Sequence, residues 1–201
     1  MFGRDLLGYA PEFSRYTRGK CVNVTAKEVV DFWRDAGPQR WFAKDETFDD
    51  MCEMAFEDAM DDAAAGKGEA WMDSAEGALA LVLLLDQMPR NIHRDSARAY
   101  AHDAQARAYA EQAVDRGYDA EVDSALRVFF YMPFEHSEDL ADQERSVELH
   151  QNLDGEDADK WAVLHKEIIE KFGRFPHRNA VLGRETTPEE QAWLDAGGFK
   201  G

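Results

Sequence analysis

Along most of this chain apolar residues recur with the three- and four-residue spacing of helices, and almost nowhere with the alternation of a strand. Thr25-Ala-Lys-Glu28 forms a capping box ahead of an apolar stripe of Val29, Val30, Phe32 and Trp33, and Gly37-Pro38 predicts a stop. A second helix over 47–65 sets Phe48, Met51, Cys52, Ala55, Phe56, Ala59 and Met60 on one face, with acids on the other and Gly66 at its end. The third opens with Asp73-x-x-Glu76 and runs Ala78 to Leu85 without a polar residue. A helix apolar all round belongs at the centre of a core, and Pro89 is expected to end this one. A fourth, alanine-rich with Tyr100 and Tyr109, spans 95–116, and a fifth with Val122, Leu126, Phe129 and Phe130 spans 120–131 and ends at Met132-Pro133. The sixth is expected to start at Ser137. The seventh, 157–172, carries Trp161, Leu164, Ile168, Ile169 and Phe172 and is closed by Gly173. The eighth begins Thr187-Pro-Glu-Glu190 and is expected to bury Trp193 and Leu194. The expectation is an all-α fold, an antiparallel array of about eight helices forming one domain over 25–201, after an irregular N-terminal arm over 1–24.

Charge narrows the function classes. The 201 residues hold 23 Lys and Arg against 41 Asp and Glu, a formal net charge of −18. Such a chain is repelled by nucleic-acid phosphates and by anionic membranes, so neither is expected as a partner. The apolar run Ala78 to Leu85 is far short of the ~20 residues of a membrane helix. The N-terminal residues lack the apolar stretch of a signal peptide. Two cysteines, Cys21 and Cys52, build no disulfide framework. A cytoplasmic protein is expected.

Candidate chemistry gathers after three prolines. Met88-Pro89, Met132-Pro133 and Phe175-Pro176 each read as the end of a helix, and polar residues follow each: Arg90-Asn91, then Glu135-His136-Ser137-Glu138, then His177-Arg178-Asn179. In an up-down array the third, fifth and seventh helices run parallel, which would bring these segments to one end of the molecule. Residues 171–184 hold Lys171, Arg174, Arg178 and Arg184 with no acid. Arginines clustered against the overall charge suit either an anion site or internal pairing with acids such as Asp86, Glu135, Glu138, Asp139 and Asp142. The expected ligand-binding residues are Arg90, Asn91, Arg174, Arg178, Asn179 and Arg184; the expected acid/base residues are His136, His177 and Glu138. His136, Glu138 and His177 are also metal-ligand types, but neighbouring arginines repel cations, so no metal and no cofactor is expected. His165, on an apolar face, reads as a hydrogen-bonded core histidine, and Cys52 as inert. His102-Asp103, on a surface-looking alanine helix, carries no expectation.

Several blocks resemble a known family. Trp41-Phe-x-Lys-Asp-x-x-Phe-Asp49, Leu79 to Asn91, Tyr131 to Glu144, and Phe172 to Arg184 with Thr187-Pro-Glu-Glu190 are similar to the bacterial family catalogued as Domain of Unknown Function 924. The likeness spans about 29–199, and Met88 and Glu135 depart from the family's usual residues. It implies a helical array similar to tetratricopeptide superhelices and supplies no activity. The expected function is therefore an enzyme or binder of a small anionic phosphate or carboxylate compound. The alternative is a non-catalytic scaffold that holds a peptide or protein partner.

Overall fold

The computed structural model describes residues 24–155 and 157–201. The arm expected over 1–24, Cys21 included, lies outside the described residues except for Val24. Among the described residues there is no strand, and ten α-helical segments, two of them joined through a π turn, make nine helices.

Helix α1 (Ala26–Ala36) has its capping box, with the Thr25 amide donating to the Glu28 carboxylate at 2.9 Å, and Gly37 closes it. Pro38 then opens a single turn, α2 (Pro38–Trp41), where the pattern predicts only a stop. A fixed φ suits proline to a first helical position. Asp45 caps α3 (Glu46–Ala64), whose buried side holds Phe48, Met51, Cys52, Phe56 and Met60. Asp50, Asp58, Asp61 and Asp62 turn outward, while Asp49 turns in to bond Asn91 and Arg94.

The core centre is α4 (Ala75–Val82), capped by Ser74 rather than Asp73, and every residue from Ala78 to Leu85 is fully buried. The helix does not stop at Pro89. It passes through a π turn, Leu83–Gln87, into α5 (Met88–Ile92). Proline gives no N–H, and its ring crowds the preceding turn, so α-helical bonding cannot run through it. The wide turn just before takes up the mismatch, with the Met88 amide reaching back to the Leu83 carbonyl.

Two further expectations fail locally. The helix expected over 95–116 is interrupted at His102, leaving a 3₁₀ turn, Ala97–Tyr100, before α6 (Asp103–Asp115). The helix expected over 120–131 is replaced by 3₁₀ turns, Tyr118–Ala120 and Arg127–Phe130. There the Asp123 carboxylate accepts the Ala125 amide at 2.9 Å, a local bond that competes with the helix. Then follow α7 (Met132–Glu135) and α8 (Leu140–His150). Asp139 caps α8, two residues beyond the expected Ser137, whose hydroxyl donates instead to Asp142 at 2.6 Å. Gly173, left-handed at φ 68°, ends α9 (Lys160–Phe172). The last helix, α10 (Pro188–Asp195), has its capping box, but it buries Glu190 while Trp193 and Leu194 are only half-buried.

The three prolines therefore begin short helical turns rather than end long helices. Pro89 opens α5, Pro133 opens α7, and Pro176 opens a 3₁₀ turn, Pro176–Arg178. The parity of parallel helices does not explain where they lie. One large apolar cluster packs around α4, and a smaller one joins Ile168, Ile169 and Phe175 with Trp193 and Phe199.

Gly77, in the first turn of α4, has a packing reason. A Cβ there would lie 2.0 Å from the Trp71 carbonyl oxygen in the 3₁₀ turn Glu69–Asp73. Backbone cannot swing aside as a side-chain tip can. Gly77→Ala is expected to destabilise by about 3 kcal/mol or more, at the upper end of overpacking costs. Urea denaturation measures it, and a loss below about 0.5 kcal/mol, ordinary for surface changes, would contradict the close packing.

Candidate functional site

The segments that follow the three prolines do converge. They meet at a cavity of about 690 Å³ lined by Arg90 and Asn91 of α5, by Glu135 and His136 at the end of α7, and by His177 and Arg178 of the 3₁₀ turn. Trp41, Phe42, Tyr100, His150, Trp161, His165 and Phe199 complete its walls, with Lys44, Arg94 and Lys200. Residues of both apolar clusters border it.

Its floor is organised by Asp86, which the π turn buries completely. One carboxylate oxygen meets His136 Nδ1 at 2.8 Å and Arg90 Nη1 at 3.2 Å, and the other accepts from the Gln87 amide at 2.6 Å. Burial alone would raise the Asp86 pKa, but Arg90 and His136 outweigh it and hold the group well below the usual carboxylate range. Arg90 is gripped from the other side by Asp103, through two parallel bonds of 2.9 Å. Burial, reinforced by Arg90, pushes His136 down to about 4, so its imidazole is neutral near pH 7. With Nδ1–H given to Asp86, Nε2 is the basic nitrogen.

Glu135 is the opposite case. Burial, with Asp86 adding to it against Arg90, raises this carboxyl to about 8. His150 and His165 flank it, with His150 Nε2 3.4 Å and His165 Nδ1 3.2 Å from its two oxygens. Each histidine gives Nδ1–H to the carbonyl one helical turn back, Ser146 in α8 and Trp161 in α9, at 2.8 Å. His150 Nε2 is therefore an acceptor nitrogen, 3.4 Å from the Glu135 carboxyl. The loop carrying Glu135 and His136 is held by buried Gln143, whose amide donates to the Glu135 and Ser137 carbonyls at 2.7 and 2.6 Å. An acid and a base with acid constants pushed apart stand on adjacent residues.

Arg178 is 5% exposed and sits between the Tyr100 and Phe175 rings, 4.7 and 4.3 Å from their centroids. Its Nη1 donates to the His136 carbonyl at 2.9 Å, and its nearest carboxylate, Asp103, is 3.8 Å away and already held by Arg90. Its Nε is buried without a partner, as is His177 Nδ1 next to it. Burial lowers Arg178 to about 10, which leaves it cationic.

The remaining expected residues point elsewhere. Arg184 binds Glu138 through two bonds of 2.7 and 3.0 Å, and Glu138 also accepts the Phe175 amide. Arg174 holds Glu190 through bonds of 2.6 and 2.9 Å, and Asn179 donates to the same carboxylate at 3.2 Å. None of Glu138, Arg174, Asn179 and Arg184 lines the cavity. They staple the segment after α9 to α10 and to the loop before α8. Sequence reasoning left out Asp103, although Asp103, Ala106, Ala110 and Ala113 follow one helical stripe and those alanines are buried. It also set aside His165 as a core residue, whereas His165 both bonds to its helix and faces the cavity. Among the described residues no group of three or more His, Cys, Asp and Glu side chains is arranged to hold a metal ion, and no helix is long and apolar enough to cross a membrane.

Fold and site thus define an all-helical protein with a cavity beside its central helix, lined by aromatic and ionisable side chains. A family model described as a bacterial protein of unknown function, DUF924, matches residues 29–198, and the chain belongs to that family. It is similar to a solved structure, a protein of unknown function from Agrobacterium tumefaciens, at 50% identity and a TM-score of 0.83, over 86% of this chain and 97% of that one. No curated protein matches it.

The displaced groups shape the stability profile. His136, His165 and His177 are each lowered from 6.5 to about 4, chiefly by burial. The unfolded chain therefore binds more protons as pH falls from about 6.5 to 4, and stability drops there. Glu135, raised from 4.5 to about 8, acts in reverse, so stability drops as pH rises toward 8. Above pH 6.5 the contribution of the three histidines fades, while Glu135 continues to titrate toward 8. Glu135→Gln is expected to flatten the decline between pH 6.5 and 8 in a denaturation series. An unchanged decline would show that Glu135 ionises normally.

Proposed function

We propose that the cavity binds a small carboxylate or phosphate compound and is equipped for acid–base chemistry on it. The observation that carries this reading is Arg178: a buried guanidinium without a carboxylate of its own, facing a cavity, beside a second buried polar atom that lacks a partner. Orphaned buried donors are costly, and an anion would satisfy them. Lys44, Arg90, Arg94, Arg178 and Lys200 line the cavity; Arg90 is paired with Asp86 and Asp103 and Arg94 with Asp49, whereas Arg178 has no carboxylate in bonding contact. His136 Nε2 is the base and Glu135 the proton donor, each held in one protonation state at pH 7. Walls drawn from separate helices and turns favour a small molecule over a peptide laid in an open groove.

Calorimetric melting of the protein with and without inorganic phosphate or succinate tests the reading. The wild type is expected to melt at rising temperature as the anion concentration grows, because ligand bound only to the folded state stabilises it. Arg178→Met is expected to lose that response. It strands no carboxylate, since Asp103 keeps both bonds to Arg90, so the free variant remains folded. No shift in the wild type, or an equal shift in Arg178→Met, would overturn the proposal.

A further inference from the structure

The cavity is much too large for its anion alone. At about 690 Å³ it falls within the range that encloses whole organic ligands, while phosphate or a carboxylate group fills a small corner of it. The rest of the lining indicates what occupies the remainder. Among the described residues the exposed large apolar side chains are Phe42, Leu140, Trp161, Val163 and Leu182. The two aromatic ones, Phe42 at 64% and Trp161 at 55% exposed, both border this cavity. Phe199, stacked edge-on to His165 and His177 at 4.7 and 5.3 Å, adds a third aromatic surface. Aliphatic lining is sparse, Val128 and Met132 with a few alanines. A fatty chain would find few partners here, whereas a flat ring would find exposed aromatic faces to stack on.

We infer that the ligand is an anion carried on a planar aromatic body, with its charged group at Arg178 and its ring against Phe42 and Trp161. This rests on the anion-binding reading above and names the class of ligand. A carboxylate head and a phosphate head share the recognition chemistry, and both are tested.

Isothermal titration with pairs matched in head group separates the outcomes. The probes are benzoate against cyclohexanecarboxylate, and phenyl phosphate against inorganic phosphate. The aromatic member of at least one pair is expected to bind about tenfold more tightly, the scale of an aromatic pairing. Phe42→Ala and Trp161→Ala are expected to remove most of that preference and to leave inorganic phosphate binding unchanged. Both side chains are more than half exposed, so the variants fold. Trp161→Phe, which keeps a ring, is expected to retain the preference. If inorganic phosphate binds but neither aromatic probe is preferred, or if the alanine variants keep the preference, the inference fails while the anion-binding reading stands. If no probe binds at all, both fail together.

Discussion

A buried carboxylate without compensation is among the most expensive groups a fold can contain. Asp86 is fully buried, and much of the site exists to compensate it. Arg90, His136 and Gln87 all bind it. Arg90 is in turn oriented by Asp103 from α6. This one charge ties the π turn, α5, α6 and the end of α7 together. It also commits one nitrogen of His136, which burial and Arg90 keep neutral, and it adds to the burial that leaves Glu135 its proton.

The arginine cluster of residues 171–184 divides by partner. Arg174 and Arg184 each have a carboxylate in two-bond geometry, Glu190 and Glu138. They act as staples that fix the 3₁₀ turn Pro176–Arg178 against the rest of the molecule. Arg178 has no such partner and is held by ring faces and one carbonyl. A guanidinium doubly bonded to a carboxylate has its charge already met within the protein; one held by ring faces and a carbonyl does not. Staples and anchor lie within one short segment, so the first position the second.

Much of the fold was legible because it rests on local chemistry. Thr25 with Glu28 and Thr187 with Glu190 are capping boxes in sequence and in structure. The all-apolar run Ala78 to Leu85 is the core centre, as a helix without a polar face must be. The convergence of the three proline segments was read correctly in place and wrongly in cause, since the prolines start turns. The π turn at Leu83–Gln87 left no periodic mark, because the apolar run up to Leu85 has no polar face whose shift would reveal one extra residue. Asp103 was hidden in an alanine helix, where small residues look like surface until a partner helix approaches. Pairings such as Arg184 with Glu138, 46 residues apart, depend on tertiary packing that no local pattern encodes.

The central claim is that burial and Arg90 keep His136 neutral while Asp86 fixes its tautomer, leaving Nε2 as the basic nitrogen. Nitrogen-15 NMR of the histidine rings measures this directly across a pH titration. The account predicts that His136 carries its proton on Nδ1 at pH 7 and becomes imidazolium only near pH 4. A His136 protonated on Nε2, or one titrating near the ordinary 6.5, would contradict it.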